Sequence, residues 1–213
     1  MKRDCCGSAM LLARGMLNDR SSALALLRTR RSARPRDLVE PGPDANALRR
    51  MFEVAMRTPD HGKLHPWRFV HVGRERRDDF ADLLHRAYRI DKPDPGRLEV
   101  EANERFARQA PELVVALSSP TPGHKIPVWE QQISCGAACM NLLLAAHAMG
   151  YAAGLVTGWA AYSDTVLRAF GDPPERIAGF VFLGTPAVEL EERLRPDHEQ
   201  VVSEWAVERS DRN

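Results

Sequence analysis

The chain has 213 residues, of which 44% are hydrophobic, and its 30 Lys and Arg residues nearly balance 29 Asp and Glu residues. This length predicts one large domain or two small ones, with enough apolar residues to bury a core. The balanced charge gives no broad positive field for nucleic acid, and no 18-residue apolar run is free of polar groups. We therefore expect neither a nucleic-acid partner nor a membrane span.

The N-terminal segment and the cysteines give two further expectations. An apolar patch at residues 9–12 is followed by Arg14 and by no small-residue cleavage site. We predict a disordered extension over residues 1–20, without an export signal, and a single domain over residues 21–213. Cys135 and Cys139 lie four residues apart, and no second pair with zinc spacing accompanies them. They are interpreted as small core residues of a cytoplasmic protein.

The elements are predicted in chain order from periodicity and breakers. A serine cap at Ser21 or Ser22 begins a helix that runs to about Arg30. A second helix carries Leu48 and Met51 on one face and ends before Pro59. The remaining elements are a strand at 67–72, helices at 73–87 and 97–109, a strand at 113–117, a helix at 128–149, a strand at 153–157, a helix at 164–170 and a strand at 177–183.

This order of elements predicts an α+β fold. Helices and strands are mixed without the regular alternation of βαβ units. Residues 150–158 lack the G-x-G-x-x-G spacing, so a Rossmann nicotinamide site is not expected. The helix at 128–149 is apolar almost all round from Ile133 onward, which predicts that it is buried.

An arginine-rich stretch supplies the first candidate site. Five arginines fall within nine residues, at positions 28, 30, 31, 34 and 36. A solvated charged face or a nucleic-acid patch would have the same composition, although no aromatic residue precedes Phe52 to stack on bases. Within the stretch, Arg30-Arg31-Ser32 places two guanidiniums beside a hydroxyl, which suits a phosphate monoester.

Other catalytic constellations are not visible. The sequence has no Ser-His-Asp set, metal-ligand cluster or phosphate-binding P-loop. His124, Glu130 and His147 lie far apart and have no spacing that links them. We therefore name no catalytic residue.

The chain nevertheless resembles a known family through several motifs in order. They are Arg30-Arg31-Ser32, the segment Arg57-Thr58-Pro59-Asp60-His61-Gly62-Lys63-Leu64-His65-Pro66-Trp67, the helix start Trp129-Glu130-Gln131, and Leu183-Gly184-Thr185-Pro186 at the end of a strand. From about Leu24 to Trp205 the sequence is similar to FMN-dependent nitroreductases, and within them to the YdjA-like subgroup. The resemblance implies a central, mostly antiparallel sheet flanked by helices, in an intertwined homodimer with flavin sites at the subunit interface.

The resemblance also implies roles for individual residues. Arg30, Arg31 and Ser32 would bind the FMN phosphate, and Arg34 would place positive charge near the pyrimidine edge of the flavin. Arg195, near the C-terminus, would supply a second cation to the phosphate. A solvated tail is the alternative interpretation for Arg195.

Two further segments complete the implied site. Backbone N–H groups of Leu155, Val156 and Thr157 would lie along the flavin ring. Arg57 and His61 would reach the flavin of the partner subunit, while a surface loop histidine is the alternative for His61.

The implied activity is an NAD(P)H oxidoreductase. NADH or NADPH would reduce the flavin by hydride transfer, and a small-molecule acceptor such as a nitroaromatic or a quinone would reoxidise it in a ping-pong cycle. A flavin-binding protein of the same fold with another role, as a sensor or as a dehalogenating or flavin-destructive enzyme, is the alternative. An anion- or nucleic-acid-binding module using the arginine run is the third hypothesis.

Overall fold

The computed structural model describes residues 17–205. Its helices are α1 (Ala23–Thr29), α2 (Ala45–Ala55), α3 (Arg77–Asp91), α4 (Arg97–Arg108), α5 (Val128–Ala148), α6 (Trp159–Tyr162), α7 (Asp164–Leu167) and α8 (His198–Val201). Its strands are β1 (Leu38–Val39), β2 (Trp67–Val72), β3 (Glu112–Ser118), β4 (Ala152–Val156) and β5 (Arg176–Pro186). Short 3₁₀ turns cover Pro35–Asp37, His61–Lys63 and Arg74–Arg76.

The strands form one sheet in which all the described pairings are antiparallel. β2 pairs with β3, β3 pairs with β5, and β5 also pairs with β4 and, near its C-terminal end, with β1. The prediction of an α+β fold with a mostly antiparallel sheet is therefore confirmed.

Both faces of the sheet are covered by helices, which explains the uninterrupted apolar run of β3. On one face, Leu113 and Val115 pack with Phe80 and Leu84 of α3 and with Ala107 of α4. On the other face, Val114 packs with Met51 of α2 and Leu142 of α5. Successive side chains of a strand point to opposite faces, so a strand covered on both faces needs an apolar residue at every position.

The predicted elements agree with the observed ones to within a few residues, with three differences. α7 is a single turn that ends at Leu167 rather than at 170. β1, α6 and α8 were not predicted, because segments of two to four residues carry no measurable period. The predicted helix at 73–87 begins as a 3₁₀ turn and continues to Asp91.

The predicted N-terminal extension lies mostly outside the described residues. Its last four residues, 17–20, are placed against the body: Asn18 N–H donates to the Thr29 carbonyl at 3.0 Å, and Asn18 Oδ1 accepts from Arg31 N–H at 2.8 Å. Cys135 and Cys139 are buried and free, as core residues should be. Contact with the Cys135 sulfur and burial raise the pKa of the Cys139 thiol.

Candidate cofactor site

The loop that contains Arg30, Arg31 and Ser32 follows directly from the end of α1. Ser22 caps the helix by accepting from Ala25 N–H at 3.0 Å, and the helix ends at Thr29. The following loop then lies beside β4, where Ala33 N–H donates to the Ala153 carbonyl at 3.1 Å. A side chain at Gly154 would collide with the Ala33 carbonyl oxygen. The glycine therefore permits the close approach that places the arginine loop against the sheet.

Arg30 stands among groups of its own charge. Its Nη1 donates to Ser32 Oγ at 3.2 Å, and the side chain is partly buried. Burial lowers the pKa of the Arg30 guanidinium, and the nearby Arg195 and Arg31 lower it further, while Glu192 acts in the opposite direction. Arg195, which is close enough to act on Arg30, is itself paired with Glu192, whose Oε1 accepts from Arg195 Nη2 at 3.1 Å. That Arg30, Ser32 and Arg195 bind one phosphate remains a prediction.

Two of the predicted arginines are placed differently. Arg31 Nε donates to the Glu191 carbonyl at 2.6 Å, so this side chain fastens the segment after β5. Arg34 precedes the 3₁₀ turn at Pro35–Asp37 and is exposed, and no side-chain hydrogen bond of Arg34 is found within residues 17–205. Its predicted position near the pyrimidine edge remains a prediction.

His147 joins this cluster although its sequence position gave no reason to expect it. It lies near the end of α5 and is completely buried, and neither ring nitrogen has a hydrogen-bond partner among the described residues. Burial, followed by the charge of Arg30, lowers the pKa of His147 to about 4. Buried polar atoms normally find a partner. The unpartnered imidazole is therefore consistent with a site that a polar ligand or water completes.

The end of β4 supplies the third part of the site. β5 pairs along one edge of β4, and the arginine loop contacts the other edge at Ala153. Leu155 and Val156 are partly exposed and Thr157 is exposed, just before Gly158, whose φ of +100° favours glycine. The predicted ring-binding segment is therefore accessible next to the arginine loop.

Arg57 and His61 lie on a different loop, which α5 holds in place. Both side chains are exposed, and no described contact joins them to Arg30. Asn141 Nδ2 donates to Thr58 Oγ1 at 2.9 Å, and Ser134 Oγ donates to the Pro59 carbonyl at 2.6 Å. Farther along the loop, Nδ1 of His61 lies 2.9 Å from Oε2 of Glu130.

Large apolar side chains are exposed near the start of α5 and after β5. On α5, Trp129 is 70% and Ile133 is 53% exposed. After β5, Leu194 is 97% and Trp205 is 89% exposed. Trp129 and Ile133 are one helical turn apart, and neighbouring exposed apolar groups are typical of a surface that another molecule covers.

A family model described as the nitroreductase family matches residues 27–185. The chain belongs to this family. A relative from Haemophilus influenzae, provisionally named an NAD(P)H nitroreductase, is 38% identical over 176 residues, covering 81% of this chain and 93% of the relative. The Escherichia coli K12 protein YdjA, provisionally named likewise, is 34% identical over 165 residues, covering 77% and 88%.

A solved structure supports the fold assignment. The FMN- and NADPH-dependent nitroreductase NfnB from Sphigopyxis sp. strain HMH superposes with a TM-score of 0.68 at 19% identity, covering 87% of this chain and all of that one. In residues 17–205, the nitroreductase-family chain has no group of three or more His, Cys, Asp or Glu placed to hold a metal ion. Nor does that part of the chain contain a helix long and apolar enough to cross a bilayer.

Proposed function

We propose that this nitroreductase-family protein is an FMN-dependent NAD(P)H oxidoreductase that acts as a homodimer. The observation that carries the proposal is the cluster of Arg30, Ser32 and Arg195 beside the accessible end of β4. The cluster offers an anion site at one end of a strip of backbone that is open to a flat ring. FMN has these two parts, a phosphate and a ring. The two curated relatives, each provisionally named as an NAD(P)H nitroreductase, support the same activity.

The residues of the cluster have distinct proposed tasks. Arg30 and Ser32 hold the phosphate, Arg195 adds a second positive charge, and Arg31 keeps the segment after β5 in reach through Glu191. Backbone N–H groups of residues 155–157 would line the ring. Bound FMN would supply two-electron redox chemistry between NADH or NADPH and a second substrate. The protein's part is to fix distance and stacking, so no side-chain acid or base is required.

The partner subunit completes the proposed site. Arg57 and His61 are exposed in one chain, and His61 contacts Glu130 at the start of α5, where Trp129 and Ile133 form an exposed apolar face. If that face is the dimer contact, the loop projects toward the second chain. Nitroaromatics and quinones are the proposed acceptors, because the resemblance to FMN-dependent nitroreductases implies them.

The activity is tested on the purified full-length protein. We expect a yellow protein that bleaches when NADH or NADPH is added without oxygen and regains its colour with a quinone. A yellow protein that never bleaches would support a flavin-binding role without NAD(P)H turnover. A colourless protein that takes up no added FMN would overturn the proposal.

The shared site is tested with a mixed dimer. One subunit carries Arg30→Ala and Ser32→Ala, and the other carries Arg57→Ala and His61→Ala. If residues cross the interface, one site collects all four changes and the other has none, so the mixed dimer retains about half of the tight FMN binding. If each site were built within one chain, both sites would be damaged and tight binding would not return.

A further inference from the structure

α5 carries a stripe of polar side chains that faces one loop. Glu130, Ser134 and Asn141 are separated by four and seven residues, which places them along one face of the helix. They contact His61, Pro59 and Thr58 respectively, so the helix and the loop run in opposite directions past each other. The other residues of the helix are mostly apolar, and the stripe is therefore the loop's principal polar anchor.

Contacts within the loop and with Ile126 also fix its course. The Asp60 carboxylate accepts from Leu64 N–H at 3.0 Å and from His65 N–H at 2.9 Å. Gly62 has a φ of +78°, and a side chain there would collide with the buried Ile126. The backbone around His61 thus has a fixed course, and the contact with Glu130 fixes the imidazole on it.

The chemistry of that contact selects one form of the imidazole. A carboxylate only accepts hydrogen bonds, so Nδ1 of His61 must carry the hydrogen at 2.9 Å from Oε2. The other nitrogen, Nε2, is then the free ring position of a side chain that is 69% exposed. A carboxylate that is hydrogen-bonded to one ring nitrogen of a histidine commonly orients the ring and sets its tautomer.

Glu130 is well placed for this task. It lies in the first turn of α5, and its backbone N–H donates to the Pro127 carbonyl at 3.1 Å. Negative charge is favourable at this end of a helix. The neighbouring Gln131 is buried and bonds to the carbonyls of Ile126 and Thr121, so it anchors the preceding loop.

We propose that Glu130 is a positioning residue, which holds the Nδ1–H tautomer of His61 and thereby presents Nε2 to the flavin of the partner subunit. This inference rests on the proposed function, because only a cofactor across the interface gives the free Nε2 a task. Glu130 acts through His61 and makes no contact of its own with the cofactor.

Nitrogen NMR on the full-length dimer labelled with ¹⁵N-histidine reads the tautomer directly. The sample contains no FMN and is held at about pH 9, where an imidazole is ordinarily neutral. The chain has 7 histidines, so the His61→Ala variant identifies the signal. We expect the Nδ1–H form of His61 in the wild type and a change toward the Nε2–H form in Glu130→Ala. Glu130→Gln should give a mixture, because an amide either donates or accepts.

A double-mutant cycle then measures whether the two residues act as one. We expect His61→Ala and Glu130→Ala each to weaken FMN binding about tenfold, and the double variant to be no weaker than about twofold beyond either single variant. Glu104→Ala, which removes a partly exposed carboxylate that faces Arg108 on α4, serves as the matched control and should bind FMN normally.

The outcomes separate the two proposals. A wild-type protein that binds no FMN overturns the proposed function and the role of Glu130 with it. Normal wild-type binding combined with an Nε2–H tautomer at His61, with unaffected binding in Glu130→Ala, or with independent losses in the double variant overturns the role of Glu130 alone.

Discussion

Two arginines on opposite sides of the molecule have opposite surroundings. Arg77, at the start of α3, is buried and donates to the carbonyls of Val72, Ala107, Gln109 and Pro111 at 2.9–3.2 Å. Arg30 has one hydrogen bond, to Ser32, among the described residues, and cations as neighbours. The Arg77 guanidinium is therefore paired within one chain, whereas Arg30 has no salt bridge and His147 beside it has no hydrogen-bond partner among the described residues. This contrast is consistent with a ligand at Arg30, and we propose that a second subunit covers the exposed Trp129 and Ile133 of α5.

Arg77 gives the largest expected effect. Arg77→Leu should lower the free energy of unfolding by about 3 kcal/mol or more, because four carbonyls, three of them in buried hydrogen bonds, lose a charged donor. Burial lowers the pKa of Arg77 only to about 10, so the group is charged at neutral pH. Urea unfolding measures the change. If this side is purely structural, whatever folded protein remains should bind FMN as the wild type does, and a selective loss of FMN binding would contradict the comparison.

Arg30 should show the reverse pattern. Arg30→Ala removes a charge-assisted contact worth about 1.5–3 kcal/mol, which corresponds to an FMN affinity lower by about 10- to 150-fold. Stability without FMN should be unchanged or slightly higher, because like charges are separated. Flavin fluorescence titration measures the affinity. An unchanged affinity in a folded variant would remove Arg30 from the phosphate site.

A substitution of Ile133 tests whether the exposed apolar face of α5 is a subunit contact. Ile133→Asp would bury a carboxylate in an apolar interface and should weaken dimerisation by about 2 kcal/mol or more. Sedimentation at low concentration measures the mass. Ile90→Asp, which alters a 66% exposed side chain at the end of α3, is the control and should leave the mass unchanged. A wild-type monomer that retains FMN would contradict the dimer proposal.

His147 should give the smallest effect, a change of stability with pH. Its pKa is about 4 in the folded chain and 6.5 when unperturbed. The unfolded chain therefore binds the proton first as the pH falls, and the free energy of unfolding decreases between about pH 6.5 and about pH 4. From pH 7.5 to pH 5.5 we expect a loss of about 1 kcal/mol. His147→Leu should flatten this slope, and FMN added to the wild type should reduce it if a phosphate partners the imidazole.

Elements with a clear hydrophobic period or a strong chemical signature were predicted correctly from the sequence. β2, β3 and α5 were predicted within one residue at either end, because apolar runs bounded by proline or glycine are explicit in the chain. The family predicted from the motifs was confirmed by the family model and the relatives. The burial of α5 was predicted as well, but Ile133 is 53% exposed, and a partner subunit that covers it is still a proposal.

Long-range contacts between single residues were not accessible from the sequence. Glu130 and His61 are 69 positions apart, and His147 meets Arg30 only because the arginine loop returns along β4. One signal was visible in retrospect: Glu130, Ser134 and Asn141 share a helical face in an otherwise apolar helix. A polar stripe with that spacing predicts a polar partner, although not which loop supplies it.

In the proposed dimer, α5 would fix the spacing between the two cofactor sites. Glu130, near its first residue, would act on the cofactor of the partner through His61, while His147, near its last, would stand beside the phosphate of its own subunit. Glu130 and His147 are seventeen positions apart on the helix, which corresponds to about 25 Å at about 1.5 Å per residue. The length of one helix would therefore set the distance between the two redox centres.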